Sequence, residues 1–573
     1  MEPNKQGGTR MKKWTAVSAA LVLLLSVVLS GCSGGGKSGD GAASPSGSKG
    51  SASPQASPVA ANANVSGPGQ YPIVKNKVNL KVLVIDRGTV QDLNTNAFTK
   101  WYEEKTNVHI DWVTVPLSQA AEKINLMLAS GDLPDVLMNA PITPTQMVVY
   151  GQQGLFLSLN ELIDKYGFYT KQLFQDVPFI KERITTPDGK IYALPSFSDC
   201  YHCSMSQKFW IDQKWLDKLG LKTPTTTDDF YQVLKAFKEK DPNGNGKPDE
   251  IPFAGATTGA NTEIEGFLMN AFTNYDKGNH YLQIVGGKLQ PAFTQPGFKD
   301  GLKYLHKLYA EGLLAPESFT QDINQLKKLV ANPDAALVGA VPAHNQSVFV
   351  QIQDNGRWLD YTALAPLQGP GGTRQALYSP YSGLSIPAFI ITKASKNPEV
   401  ALRWGEGFYE LETMERAAYG VPGTDWRPAT ADEKSIAGGA AKWTRLITFG
   451  TVQNQNLGQV QIAYQPSEFR LSESSKNPLE VSLYNETKKK YEPYKVSVDQ
   501  VLPPLWFTED QSAKIVDMQT TIEKYVKESI ARFVTGGADI DKGWDDYLKN
   551  LNDMNVKGYL DLYQKAYDQT KKK

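Results

Sequence analysis

The sequence predicts an α/β, doubly wound body. From residue 77 a strand, a helix and a strand follow one another, a further helix and strand repeat the unit, and 41% of the 573 residues are hydrophobic. One domain usually takes roughly 100 to 200 residues, so the chain holds at least two packed units.

The elements justify this in order. Val78-Asn79-Leu80-Lys81-Val82-Leu83-Val84-Ile85 reads as a strand ending at Asp86-Arg87-Gly88. Residues 94–106 carry helical spacing, and Val108-His109-Ile110-Asp111-Trp112-Val113 alternates as a second strand. A strand joined through a helix to the next strand lies parallel to it. Residues 120–129 form an amphipathic helix stopped by Ser130-Gly131-Asp132, and Pro134-Asp135-Val136-Leu137-Met138 is the third strand.

Before this body the chain reads as an address. Lys12 and Lys13 precede an apolar run over 16–29, shorter than the ~20 residues a spanning helix needs. Leu29-Ser30-Gly31-Cys32 is similar to a bacterial lipobox, which implies cleavage before Cys32 and a lipid, palmitate included, on its sulfur. Residues 1–31 are then a lipoprotein signal peptide and 32–75 a Gly/Ser/Pro-rich tether. The body is expected at the extracellular face of the cytoplasmic membrane. Lys plus Arg and Asp plus Glu number 60 each, which argues against nucleic acid as a partner.

Several stretches resemble bacterial extracellular solute-binding proteins of family 1, the substrate receptors of ABC importers. They are Leu126-Met127-Leu128-Ala129-Ser130-Gly131-Asp132-Leu133-Pro134-Asp135-Val136, Gly154-Leu155-Phe156-Leu157-Ser158-Leu159-Asn160 and Asp188-Gly189-Lys190-Ile191-Tyr192-Ala193-Leu194-Pro195. Further on come Trp215-Leu216-Asp217-Lys218-Leu219-Gly220-Leu221, Ile391-Thr392-Lys393-Ala394-Ser395-Lys396-Asn397-Pro398-Glu399, Tyr419-Gly420, Trp506-Phe507-Thr508 and Arg532-Phe533-Val534-Thr535-Gly536. The resemblance runs over about 77–565 and implies a two-lobe periplasmic-binding-protein-like fold (type II), with an inter-lobe cleft and hinge strands. It places the first lobe at 76–197 and about 385–428, and the second at about 198–384 and 429–570. Crossings are expected near 195–204 and at Leu384-Ser385-Ile386-Pro387-Ala388-Phe389. The implied partners are an oligosaccharide and the permease subunits of an ABC importer, with the membrane reached through the lipid anchor and the receptor a monomer. A peptide or other solute receptor, and a surface polysaccharide-degrading enzyme, are the alternatives.

Asp241-Pro242-Asn243-Gly244-Asn245-Gly246-Lys247-Pro248-Asp249-Glu250 has oxygen side chains at positions 1, 3, 5 and 9 and glycine at 6, as in an EF-hand loop. Asp241, Asn243, Asn245, Asp249 and Glu250, with the Lys247 carbonyl, are the expected calcium ligands, in a structural role. Position 12 is Pro252, so Glu250 has to take the bidentate part. In this the loop resembles the calcium loop of family members that bind alginate oligosaccharides. A polar turn after a helix ending near Lys240 is the plain alternative.

Cys200-Tyr201-His202-Cys203 admits a local disulfide, two free thiols or a metal or redox pair. No G-x-S-x-G, H-E-x-x-H or P-loop occurs, so no catalytic residue is expected. Ligand contacts are expected at strand ends and crossings, because open α/β sheets bind ligands there. Asp86 and Arg87 follow the first strand, Asn139 the third, Phe197 and Tyr201 lie at the first crossing, Tyr378 and Tyr381 precede the return strand, and Trp426 follows Gly420. Aromatic faces stack on sugar C–H groups, while Asp, Asn and Arg bind hydroxyls.

Overall fold

A computed structural model describes residues 62–447 and 451–571. The signal-peptide and lipidation readings, Cys32 included, lie outside the described residues. The strands in chain order are β1 (Val78–Asp86), β2 (Val108–Pro116), β3 (Val136–Met138), β4 (Leu194–Ser198), β5 (Phe209–Asp212), β6 (Leu282–Val285), β7 (Lys288–Pro291), β8 (Ala340–Pro342), β9 (Tyr361–Ala363), β10 (Leu384–Ile391), β11 (Trp426–Pro428), β12 (Trp443–Arg445) and β13 (Tyr464–Gln465). The largest sheet runs β13-β4-β10-β3-β1-β2. In it β2 and β3 pair parallel to β1, while β10 runs antiparallel to both β3 and β4.

Alternation along the inner strands divides two cores. Leu80, Val82 and Val84 of β1, Val136 and Met138 of β3, and Phe389 and Ile391 of β10 face one core. Leu83, Ile85, Leu137 and Ile390, one residue out of step, face the other. Both faces are therefore apolar, and each is covered by helices. Ala97–Thr106 and Pro398–Glu406 contribute Phe98, Tyr102, Val400 and Trp404 on the first side. Ala120–Ser130 contributes Ile124 and Leu128 on the second.

Residues 62–75, read from the sequence as the end of the tether, are packed on this layer. Ile73 and Val74 are fully buried. The buried Arg403 guanidinium donates to the carbonyls of Ser66, Gly67 and Gln70, which are the polar groups such a segment needs satisfied.

The second body is built around β8-β5-β9, all antiparallel. β5 is buried along its whole length. Phe209 and Trp210 pack with Phe230, Phe237 and Phe253, and with residues of the helices Pro296–Ala310, Glu509–Val534 and Ile540–Asp553. This lobe carries little sheet and many helices. Its hydrophobic segments repeat at helical spacing, as in Thr227–Glu239, where Phe230, Val233, Leu234 and Phe237 are buried.

The chain passes between the two cores at 199–208, after β4, and again before β10. A further passage over 466–477 follows β13. Leu457, Val460 and Ile462 belong to the first core, so residues 453–465 build the first lobe rather than the second, where the sequence reading put everything from 429 onward. A two-residue strand gives too short a pattern to announce this. No described helix is long and apolar enough to cross a membrane.

Candidate functional site

A cavity of about 1310 Å³ opens between the two bodies. Arg87, Asn139, Ser196, Ser385, Gln461 and Gln465 line it from the first lobe, and Lys327, Val350, Gln353 and Trp358 from the second. Arg470, Glu473 and Glu480 line it from the third passage and the helix that follows. Each end of the cavity thus rests on an element packed in a different core, as a cleft that closes on a ligand requires.

Hydrogen bonds hold the first wall. Asn139, just past β3, adopts φ 48°, a left-handed conformation asparagine tolerates, and its backbone N–H donates to Ala388 O. Its side-chain amide donates to the carbonyls of Val460 (3.0 Å) and Gln461 (2.8 Å). Arg470 donates to Ser198 Oγ, Ser198 Oγ to Gln465 Oε1, and Gln465 Nε2 to the Tyr419 hydroxyl, at 3.0, 2.9 and 3.0 Å. Beside them Arg445 pairs with Glu473 at 3.1 Å and lies 4.7 Å from the Tyr419 ring. One group is left over: Gln461 is 8% exposed and its side-chain carbonyl has no hydrogen-bond partner. An orphan acceptor on a cavity wall suits a ligand hydroxyl.

Of the contacts expected from the sequence, Arg87 and Asn139 line this cavity. Asp86 accepts the Gly88 N–H and faces, with Arg87, a smaller pocket of about 160 Å³. The aromatic candidates are not among the cavity's lining residues. Phe197 is buried between Phe179 and Tyr464. Tyr201 donates to Glu492 and packs on the second core, as does Tyr378. Tyr381 sits against Phe179 and Arg183. Trp426 is buried with Met414, Tyr419 and Trp443, its indole N–H donating to Gly420 O. Large aromatic faces stabilise most when buried, and Phe197 and Trp426 are so placed, while Tyr201, Tyr378 and Tyr381 are half-buried. Gln461, Gln465, Arg470 and Trp358 were missed; the signal in reach was the alternation Gln459-Val460-Gln461-Ile462, polar outward and apolar inward.

At the first passage Cys200 and Cys203 form a disulfide, which leaves no thiolate for a metal. Next to it Lys208 is fully buried, its ammonium donating to the carbonyls of His202 and Met205. Burial pushes it down to about 7. Burial also lowers His202 and takes His344 down to about 3, so both rings are neutral.

The 241–250 loop is closed by its own side chains. The Asp241 carboxylate accepts from the N–H groups of Gly246, Gly244 and Asn245, and these, Gly246 foremost, hold it below its usual range. Gly246 takes φ 74°, which glycine adopts without strain. The side-chain amides of Asn243 and Asn245 donate to Asp249. Glu250 Oε1 is buried without a partner, and burial, then the charges of Asp241 and Asp249, raises its carboxyl. Asp241, Asp249 and Glu250 put three carboxylates on one loop, the donor type a hard divalent cation takes, but among the described residues their oxygens do not converge on one point.

The sequence profile of the bacterial extracellular solute-binding proteins matches residues 88–406, more than half of the 573. The chain belongs to that family. This solute-binding protein is 29% identical over 512 residues to the fructooligosaccharide ABC transporter substrate-binding protein FusA of Streptococcus pneumoniae, covering 84% of this chain and 88% of FusA. It is 28% identical over 337 residues to the lipoprotein LipO of Bacillus subtilis, covering 57% of this chain and 63% of LipO. It is 25% identical over 421 residues to the polygalacturonan/rhamnogalacturonan-binding protein YtcQ of the same organism, covering 72% of this chain and 74% of YtcQ. The solved structure of FusA with kestose superposes with a TM-score of 0.71 at 28% identity, covering 86% of this chain and 99% of that one. An EF-hand mutant of FusA with fructo-nystose superposes equally. FusA and YtcQ are named as binding proteins.

Proposed function

We propose that this solute-binding protein is the carbohydrate receptor of an ABC importer. It takes an oligosaccharide into the inter-lobe cavity, closes on it as a monomer, and delivers it to permease subunits. The observation that carries this is a cavity of about 1310 Å³ lined from both lobes, with the partnerless Gln461 carbonyl buried in its wall. Sugar hydroxyls donate to such acceptors, and Arg87 and Asn139 stand on the same wall. The names of FusA and YtcQ point to the same ligand chemistry. Closure follows because two bodies joined by a few strands rotate at small backbone cost, and a ligand touching both favours the closed state.

Two parts complete the reading. Asp241, Asn243, Asn245, Asp249 and Glu250, with the Lys247 carbonyl, hold a calcium ion that fixes the loop between the helix Thr227–Glu239 and Ile251, whose N–H donates to Leu337 O. Cys32 carries the lipid that keeps the body at the outer face of the cytoplasmic membrane, in line with the lipoprotein name of LipO. Calorimetry and thermal shift with kestose, nystose and oligogalacturonides test the receptor, because a ligand bound only by the folded state raises Tm. Saturable binding with the sugar recovered at unchanged mass is the expected result. No binding, or shortened products, overturns it.

A further inference from the structure

The cavity carries more positive charge than its own carboxylates neutralise. Arg445 is paired with Glu473 at 3.1 Å, and Lys476 with Glu433 at 2.6 Å. Arg87, at the end of β1, and Lys327 and Lys328, in the last turn of the helix Ile323–Val330, also line the cavity. None of these three makes an ion pair among the described residues. Among the other lining charges Arg470 and Glu480 offset each other in sign, which leaves Asp354 as the carboxylate to set against three cations. The last turn of a helix suits lysine through the helix dipole, which accounts for their place on the helix but not for their opening onto the cavity. Arg87 stands on the first lobe and the two lysines on the second, so the uncompensated cations face the ligand from both sides.

We propose that the ligand is an anionic oligosaccharide whose carboxylates, those of uronic acid residues, are read by Arg87 from the first lobe and by Lys327 and Lys328 from the second. This rests on the receptor reading above and adds the substrate class. A guanidinium presents parallel N–H donors that match a carboxylate, and an ammonium adds a point charge. In a cleft that closes, water is displaced and each contact strengthens as the local dielectric falls. The neutral walls, Gln461 and Asn139, are left to the hydroxyls. Because the three cations lie on both lobes, an acidic sugar also stabilises closure against the repulsion that two positive faces otherwise feel.

The test compares, by calorimetry on the full folded chain, an oligogalacturonide, its carboxyl-reduced neutral counterpart, a sulfated oligosaccharide and kestose. The oligogalacturonide is expected to bind at least about tenfold tighter than its reduced counterpart, and its affinity to fall several-fold between about 0.05 and 0.5 M salt. In Arg87→Gln and in the double variant Lys327→Gln/Lys328→Gln the ratio of acidic to neutral affinity should drop at least about fivefold. Surface glutamines on a helix end leave folding intact, which Tm reports. Equal or tighter binding of the neutral sugars overturns the charge assignment and leaves the receptor reading standing. Preference for the sulfated sugar overturns the carboxylate. Binding of none of the four overturns this inference together with the receptor reading.

Discussion

Asn139 donates its side-chain amide to the main-chain carbonyl of Gln461 at 2.8 Å, so the end of β3 holds the segment from which Gln461 faces the cavity. The sheet thereby sets the position of a group 322 residues away in sequence.

Replacing Asn139 tests the tie. Asn139→Ala loses two side-chain hydrogen bonds and places alanine at φ 48°, so stability should fall by about 2–3 kcal/mol. Asn139→Gly should recover the backbone part alone. Urea unfolding of the three proteins checks this, and equal stability of Ala and wild type would refute it.

Gln461→Leu separates binding from folding. The side-chain carbonyl is buried and unpaired, so its removal should leave Tm unchanged or raised. Oligosaccharide affinity should fall by roughly tenfold, the value of one hydroxyl contact. A variant that binds as the wild type does, or that unfolds, contradicts the role given to Gln461.

The 241–250 loop predicts a pH signature as well as a chelator effect. Chelation should lower Tm, and Glu250→Gln should abolish that response. The raised folded-state carboxyl of Glu250 binds a proton more readily than in the unfolded chain, so in the metal-free protein its contribution is present at low pH and lost as pH rises through the raised value. With calcium the sense reverses, because the ion needs the carboxylate charged. Melting curves with and without chelator at several pH values should therefore diverge as pH rises. Curves that stay together would refute the loop as a metal site.

What the sequence showed was local, and what it hid was not. β1 was legible because Val82, Leu83, Val84 and Ile85 fill two cores at once, leaving an unbroken apolar run. The loop with Asp241 and Glu250 could be proposed as a site from the sequence because its groups lie within ten residues of one another, where spacing is geometry. The cavity joins Arg87, Asn139, Lys327, Gln461 and Arg470, which only the threading of the chain through both lobes brings together. Arg87 and Asn139, expected as ligand contacts at strand ends, line the cavity, since the sheet itself puts them there. Aromatic residues near crossings gave no such guide: Phe197 and Trp426 are worth more in a core than on a wall. The disulfide was one of three open readings, since proximity in sequence allows but does not require it.

Lys208 supplies the last prediction. It is fully buried at the first passage, bonded to the carbonyls of His202 and Met205, with the Tyr491 ring 5.3 Å away and the His202 and His344 rings, Arg470 and Glu480 nearby. Both histidines are neutral, so no imidazolium titrates in the working range. Burial lowers the ammonium from 10.5 to about 7, which means the unfolded chain holds more protons than the folded one between those values. Stability from this group therefore rises with pH across that window and is lost as pH falls toward 7. The slope is at most about 1.4 kcal/mol per pH unit. Lys208→Met keeps the stem and removes the charge, at the cost of two carbonyls left without a donor. The difference in unfolding free energy, wild type minus variant, should therefore grow between pH 7 and 9, before tyrosines titrate. Parallel stability curves for the two proteins over that window would show that Lys208 stays charged in the folded state or finds water, and that burial at the passage does not set its proton.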